Sequence, residues 1–252
     1  MVVIDFFGIL WYNERSTLIY CFEGVIDMKQ RTGIIVATEK EQLQFFQVFG
    51  MPGRVHKSDS YDVASWEKYA DKVYLIRSGY GEIAAASATQ YLIDKYHVDR
   101  IINYGVVGSL SEKHQVKKVG IVRKIVHYGF DLSANGKYPI GRYPREDDLF
   151  LKPKKYALPS EYFGILNEFV CASSDRFVDG GKAKRQLQKD FGADICEMEA
   201  AGIVITCNKN NVPCAFIKAV SDGVDEGEQA FNDNVAEASK SCVLLLAKIL
   251  QI

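Results

Sequence analysis

Only four histidines occur in the 252 residues, and none stands at metal-ligand spacing, so neither a metal centre nor another cofactor is expected. The six cysteines (Cys21, Cys171, Cys196, Cys207, Cys214 and Cys242) include no C-x-x-C pair. Most lie in apolar runs, which reads as reduced, buried thiols and a cytoplasmic protein. Charge of one sign is also missing: the formal net charge is −1, with lysines and arginines scattered along the chain. That leaves no electrostatic footprint for nucleic acid. The apolar, aromatic segment Met1 to Asp27 is broken by Asp5, Glu14, Arg15 and Glu23 and lacks a basic start. Neither a membrane span nor a secretory signal is expected there.

An apolar content of 48% over this length is ample for one domain with a large buried core. Met28 to Gly33 looks like a fresh start running into the first core strand, which divides the chain into an N-terminal extension, 1–27, and a domain, 28–252. The extension is either an extra strand or hairpin, or an upstream addition.

Strand and helix patterns then alternate. Gly33 to Ala37 is a buried-strand run, after which Thr38 caps a helix and Glu41, three residues on, completes a capping box. Val73 to Ser78 is a second strand, and the Gly79-Tyr80-Gly81 turn opens an alanine-rich helix through about Tyr96. Such a turn either binds an anion or packs a strand tightly on a helix. Asp99 to Gly108 reads as a strand ending in a glycine-bounded turn, and Val119 to Val126 as another strand. The segment Tyr128 to Pro153 has no clear period, and a helix is expected near Glu161 to Glu168. Cys196 to Asn211 reads as a helix carrying Glu197 and Glu199 at its start, and Pro213 to Val220 as a strand that ends abruptly on Ser221-Asp222. An acidic loop and an amphipathic closing helix, Val235 to Ile249, follow. This order predicts a single α/β domain with a central mixed or mostly parallel sheet flanked by helices, and a site at the strand ends.

The carboxylates have ordinary structural roles open to them. Glu197 and Glu199 complement a helix dipole, Asp222 caps the next helix, Glu41 belongs to its capping box, and Phe177 is a core side chain after a strand.

Three motifs point elsewhere. Glu197-Met198-Glu199-Ala-Ala, the strand ending Ala219-Val220-Ser221-Asp222, and Ser174-Asp175-Arg176-Phe177 together resemble the purine nucleoside phosphorylase and nucleosidase superfamily. The resemblance runs from Gly33 to the C-terminus and is greatest to the methylthioadenosine/S-adenosylhomocysteine nucleosidases; Ser78 to Gly81 adds to it. It implies a nucleoside phosphorylase-like fold, a purine nucleoside as small-molecule partner, a homodimer, and a place in purine and methionine salvage. It assigns Asp222 as the general acid at the purine N7 and Glu41 as the residue that orients or deprotonates the attacking water. Glu199 would accept the ribose hydroxyls, with Met198 packed on the sugar and Glu197 beside it. Phe177 would stack on the base, the backbone of Val178 would read its edge, and Phe231 would cover the 5′ side. An acid role for Asp222 calls for a partly desolvated carboxyl that holds its proton near neutrality.

The chain departs from that family at Val106 and Val107, where a hydroxyl residue and an alanine are usual, at Arg176, where a small residue is usual, and at Thr38. A phosphorylase must hold a dianionic phosphate beside the sugar. A carboxylate at Glu41 would repel it, so hydrolysis is favoured over phosphorolysis, although Arg77, Arg123 or Arg176 could rebuild a phosphate site. A non-catalytic nucleoside binder is the third reading. It has no use for the acid or the water-activating base.

Overall fold

The computed structural model describes residues 29–67 and 69–251, with the backbone of 20–21 and 24–25. Those four residues pair antiparallel as β1 (Tyr20–Cys21) and β2 (Gly24–Val25). The rest of the 1–27 extension, with the side chain of Cys21, lies outside the described residues.

The apolar runs become strands buried on both faces, as parallel strands covered by helices must be. They are β3 (Arg31–Val36), β6 (Lys72–Arg77), β7 (Arg100–Ser109), β8 (Val119–His127), β9 (Asn167–Ser173), β10 (Ile195–Glu197) and β11 (Cys214–Asp222), with β4 (Arg54–His56) and β5 (Val63–Trp66) at one edge. Among the described residues the nine strands run β10-β9-β8-β11-β7-β3-β6-β5-β4. The sheet is mixed: β3 pairs parallel with β6 and β7, while β8 meets β11 antiparallel. At one end it closes on itself, because β10 bonds β9 in parallel and β7 in antiparallel fashion.

Successive residues of β3 point to opposite faces, which separates two cores. Ile34 and Val36 join Phe45, Phe49, Val243 and Leu246 under α1 (Glu39–Phe49) and α5 (Glu228–Ile249). Ile35 joins Leu92, Ile203 and Val204 under α2 (Glu82–Tyr96) and α4 (Ala200–Asn210). The helix α3 (Gly181–Phe191) flanks a third cluster at the closed end, around Leu110, Val126 and Ala172.

Four expectations are corrected. No helix forms over Glu161 to Glu168: a single 3-10 turn, Ser160–Tyr162, gives way to Gly164 at φ 78° and then β9. The glycine-bounded turn after Asn103 is absent, because β7 runs straight through Gly105 and Gly108 to Ser109. Those glycines serve close approach instead. A Cβ at Gly105 would lie 2.7 Å from Glu41 Oε1, and one at Gly108 would lie 3.0 Å from Asp222 Oδ2. Glu197 ends a strand rather than starting a helix, with Glu199 at the N-cap of α4. The closing helix starts at Glu228, so Phe231 belongs to it rather than to a loop.

Gly202 makes the α2–α4 contact possible. Its absent Cβ would lie 2.3 Å from the carbonyl oxygen of Glu82. In an isolated helix glycine to alanine is favourable by about 1 kcal/mol. Here the sign reverses, because backbone cannot move aside as a flexible side chain can. Gly202→Ala is expected to destabilise the fold by about 1–3 kcal/mol, measured as a lowered urea midpoint; a raised midpoint would show that the two helices can separate freely.

Candidate active site

The carboxyl ends of β3, β7, β9 and β11 meet the end of β10 at one pocket. Register explains the convergence: Gly108 of β7 lies opposite Asp222 of β11 and also opposite Cys196 of β10, while Glu197 lies opposite Ser173 of β9. An irregularity between Val220 and Asp222 breaks the β11 ladder just before the acid; such bulges re-aim side chains beside sites. The pocket and its open mouth together enclose about 570 Å³ of atom-free space. Glu41, Phe177, Val178, Glu197, Met198, Glu199, Asp222 and Phe231 all line it, so every site residue proposed from sequence is brought to one place.

Glu41 is both a capping residue and a wall of the pocket. Its Oε2 accepts from Ala37 N–H (3.1 Å), Thr38 N–H (2.9 Å) and Thr38 Oγ1 (3.0 Å). Its Oε1 accepts from Val106 N–H at 3.1 Å, an amide on the β7 segment where a turn was expected. Tyr104 Oη, buried, donates to the Glu41 carbonyl at 2.8 Å. The capping box therefore immobilises the carboxylate inside the site rather than competing with a role there.

Glu197 and Glu199 divide their labour. Glu197 accepts from the N–H groups of Glu199 and Ala200 at 3.0–3.1 Å and from Lys218 Nζ at 3.1 Å. Burial alone would push its carboxyl up, but the Lys218 ammonium, with hydrogen bonds from Ser173 and Ala200, holds it below the usual carboxylate range. Although it lines the pocket, its oxygens are committed to α4 and Lys218. Glu199 accepts from Gly81 N–H at 3.0 Å. Burial, then the charge of Glu197, pushes its carboxyl up to about 8. Lys218 is 1% exposed; burial would strip its proton, but Glu197, Glu199 and Glu41 hold the ammonium above the usual lysine range. One cation thus faces three carboxylates, and burial beside Glu197 leaves Glu199 carrying a proton.

Asp222 is desolvated, at 2% exposed, and is also paired. Its Oδ2 accepts from Lys184 Nζ at 2.5 Å and its Oδ1 from Ser221 Oγ at 2.7 Å. Beside it Cys196, pushed up to about 12 by burial, remains a thiol.

Aromatic side chains frame the mouth. Phe177 is 44% exposed, so it is not a core residue, and its ring meets Phe231 edge-on at 5.8 Å. Val106, Val107, Tyr80 and Arg176 complete the lining. At the end of the Gly79 to Gly81 turn, Gly81 N–H goes to Glu199 and the next amide, Glu82 N–H, to Asp175 at 2.6 Å. Arg77 pairs with Glu39, and Arg123 lies over Tyr156 and Phe163; of the three arginines considered for phosphate, only Arg176 reaches the pocket.

Sequence reasoning missed Lys184 and Lys218. Each leaves a mark in hindsight: Lys218 is a charge inside a strand buried along its whole length, and Lys184 shares a helix face with Leu187 and Phe191, both packed on the core.

A family model described as the phosphorylase superfamily matches residues 31–251. The chain is 31% identical over 189 residues to a 5′-methylthioadenosine/S-adenosylhomocysteine nucleosidase of Buchnera aphidicola, covering 71% of this chain and 80% of that protein. It is 27% identical over 225 residues to aminodeoxyfutalosine nucleosidase of Helicobacter pylori, covering 84% of this chain and 94% of that protein. The crystal structure of 5′-methylthioadenosine/S-adenosyl homocysteine nucleosidase from Helicobacter pylori superposes with a TM-score of 0.82 at 24% identity, over 88% of this chain and 98% of that one. It is similar in fold, with the mixed sheet and flanking helices expected from the sequence.

The protonated Glu199 gives stability a definite pH dependence. Folded, the group keeps its proton to about pH 8; unfolded, it ionises near the ordinary glutamate value of 4.5. The folded chain therefore binds more protons between those values, and its contribution to stability declines as pH rises through that window. Glu199→Gln, which mimics the protonated form, is expected to flatten the decline in urea midpoint between about pH 5 and 8. An unchanged slope in the variant would place the proton elsewhere in the cluster.

Proposed function

The chain belongs to the phosphorylase superfamily, and from that premise we propose that it is a nucleosidase, hydrolysing the N-glycosidic bond of a purine nucleoside of the methylthioadenosine/S-adenosylhomocysteine type. The observation that carries this reading is the meeting of Glu41, Glu199 and Asp222 with Phe177 in one pocket at the strand ends. Its relatives named as nucleosidases, acting on 5′-methylthioadenosine/S-adenosylhomocysteine or on aminodeoxyfutalosine, support it.

Breaking the bond between C1′ and N9 leaves positive charge on the ribose and negative charge on the base, so the enzyme gains most from groups that meet those charges as they develop. Phe177 stacks on the base, the backbone of Val178 reads its edge, and Asp222 delivers the proton to N7. Glu199, at the N-cap of α4, accepts hydrogen bonds from the ribose hydroxyls, and Met198 packs on the sugar. Glu197 acts one step back, keeping the Glu199 backbone and Lys218 in place. Glu41, fixed by four donors, orients the water that attacks C1′. Phe231 closes the 5′ side against Phe177.

Water is a better fit than phosphate. The Gly81 and Glu82 amides are given to protein carboxylates, and a carboxylate at Glu41 disfavours a dianion beside it. The protein acts as a homodimer in this reading: Ile83, 81% exposed on α2, lies with Ala86 and Ile205 along a groove between α2 and α4.

The test is chromatographic detection of free base after incubation with methylthioadenosine, S-adenosylhomocysteine, adenosine and inosine, each with and without phosphate. Adenine release that ignores phosphate, and that falls by about 10²–10⁴-fold in Asp222→Asn, is the expected result. Release that requires phosphate would make the protein a phosphorylase, and tight binding without release would make it a binder.

A further inference from the structure

Lys184 is fully buried, on a helix that is otherwise largely polar. An ammonium has three protons to place, and each has an acceptor here: Asp222 Oδ2 at 2.5 Å, the Gly223 carbonyl at 2.6 Å and the Glu226 carbonyl at 2.7 Å. Two of the three acceptors are backbone of the turn that follows the acid. The third is the acid itself.

Stability alone accounts poorly for this arrangement. Removing two charges from water is costly, and replacing a buried ion pair by apolar side chains is often neutral or stabilising. The position is one where leucine would pack, beside Leu187 and the third core cluster. Asp222, however, reaches into the pocket and is 2% exposed. A buried carboxylate without a partner would be expensive, and one free to rotate would misplace its proton by an ångström or more, a displacement that can cost about 10²-fold in rate.

Resting on the nucleosidase reading, we propose that Lys184 is a positioning residue for the acid: it holds Asp222 and serves as the resting store of the proton that Asp222 passes to N7. As the bond between C1′ and N9 breaks, its electron pair moves to the purine. N7 takes a proton from Asp222, and Asp222 takes one from Lys184 Nζ. The neutral amine stays held by the Gly223 and Glu226 carbonyls. Water adds to C1′ and gives its proton to Glu41, and that proton returns through solvent to Lys184 when the base leaves. Atoms and charge balance, with one water consumed and no other reactant. The ammonium is thus spent and restored once per turnover.

The alternative is that Lys184 only pins the 223–226 turn. Steady-state kinetics on methylthioadenosine, or on whichever nucleoside the wild type cleaves fastest, separate the two. Lys184→Met is expected to lower kcat by about 10²-fold or more with KM within about threefold, and Lys184→Arg, which keeps charge and donors but cannot give up a proton, to keep the melting temperature while kcat stays at least about tenfold below wild type. In Asp222→Asn, adding Lys184→Met should cost nothing further, because the residue acts through Asp222; the doubly neutral protein also guards against misfolding of the single variant. A merely structural role would instead raise KM, lower the melting temperature and add its cost to that of Asp222→Asn, and either that pattern or a Lys184→Met with wild-type kcat overturns the proposal. A wild type that releases base from no nucleoside overturns the nucleosidase reading and this inference with it, whereas an active wild type with an unaffected Lys184→Met overturns this inference alone.

Discussion

Lys218 Nζ lies 3.1 Å from Glu197 within a strand that is buried along its whole length, and the geometry of the site depends on this contact. Moving a single charge into such an interior would be prohibitive. Here the ammonium is matched against Glu197 first, then Glu199 and Glu41, and the carboxylates are matched in turn by backbone amides. Burial, with the charge of Glu197 beside it, leaves Glu199 protonated.

The same cluster links elements that the chain visits far apart. Glu41 belongs to α1, Gly81 to the turn before α2, Val106 to β7, Glu197 to β10 and Lys218 to β11, and hydrogen bonds join them within one pocket wall. Glycine is the residue that permits the close approaches. At Gly105 and Gly108 a side chain would displace Glu41 or Asp222, so these positions are explained by what faces them rather than by any turn. Closure of the sheet through β10 brings Asp222 and Glu199 to one pocket, since among the described strands β10 alone bonds both β7 and β9.

Structural and functional roles coincide in this site more often than they compete. The Thr38–Glu41 capping box fixes a carboxylate in the pocket wall, and the Glu197 contacts that start α4 also orient Glu199. An immobile carboxylate loses little to reorganisation when charge develops beside it. A helix start is an economical place for one, because its orphan amides need an acceptor.

Alternation of apolar runs with capped amphipathic segments was enough to read a mixed α/β sheet and the site at its strand ends, because burial on both faces and helical periodicity leave local marks. The pocket-lining residues Glu41, Phe177, Val178, Glu197, Met198, Glu199 and Asp222 could be singled out in sequence through short motifs that resemble a family, in segments at or just after strands. The contents of their environment could not. Whether a lysine such as Lys184 or Lys218 is solvated or paired depends on what another part of the chain places opposite it, and a local pattern shows only that a charge sits on an apolar face. The straight course of β7 and the loss of a helix near Glu161 were likewise tertiary decisions, one set by partners on β3, β10 and β11 and the other by pairing of Asn167–Ser173 with β8. Sequence determined which groups are available at the strand ends; the fold determined their partners, and with them their charge.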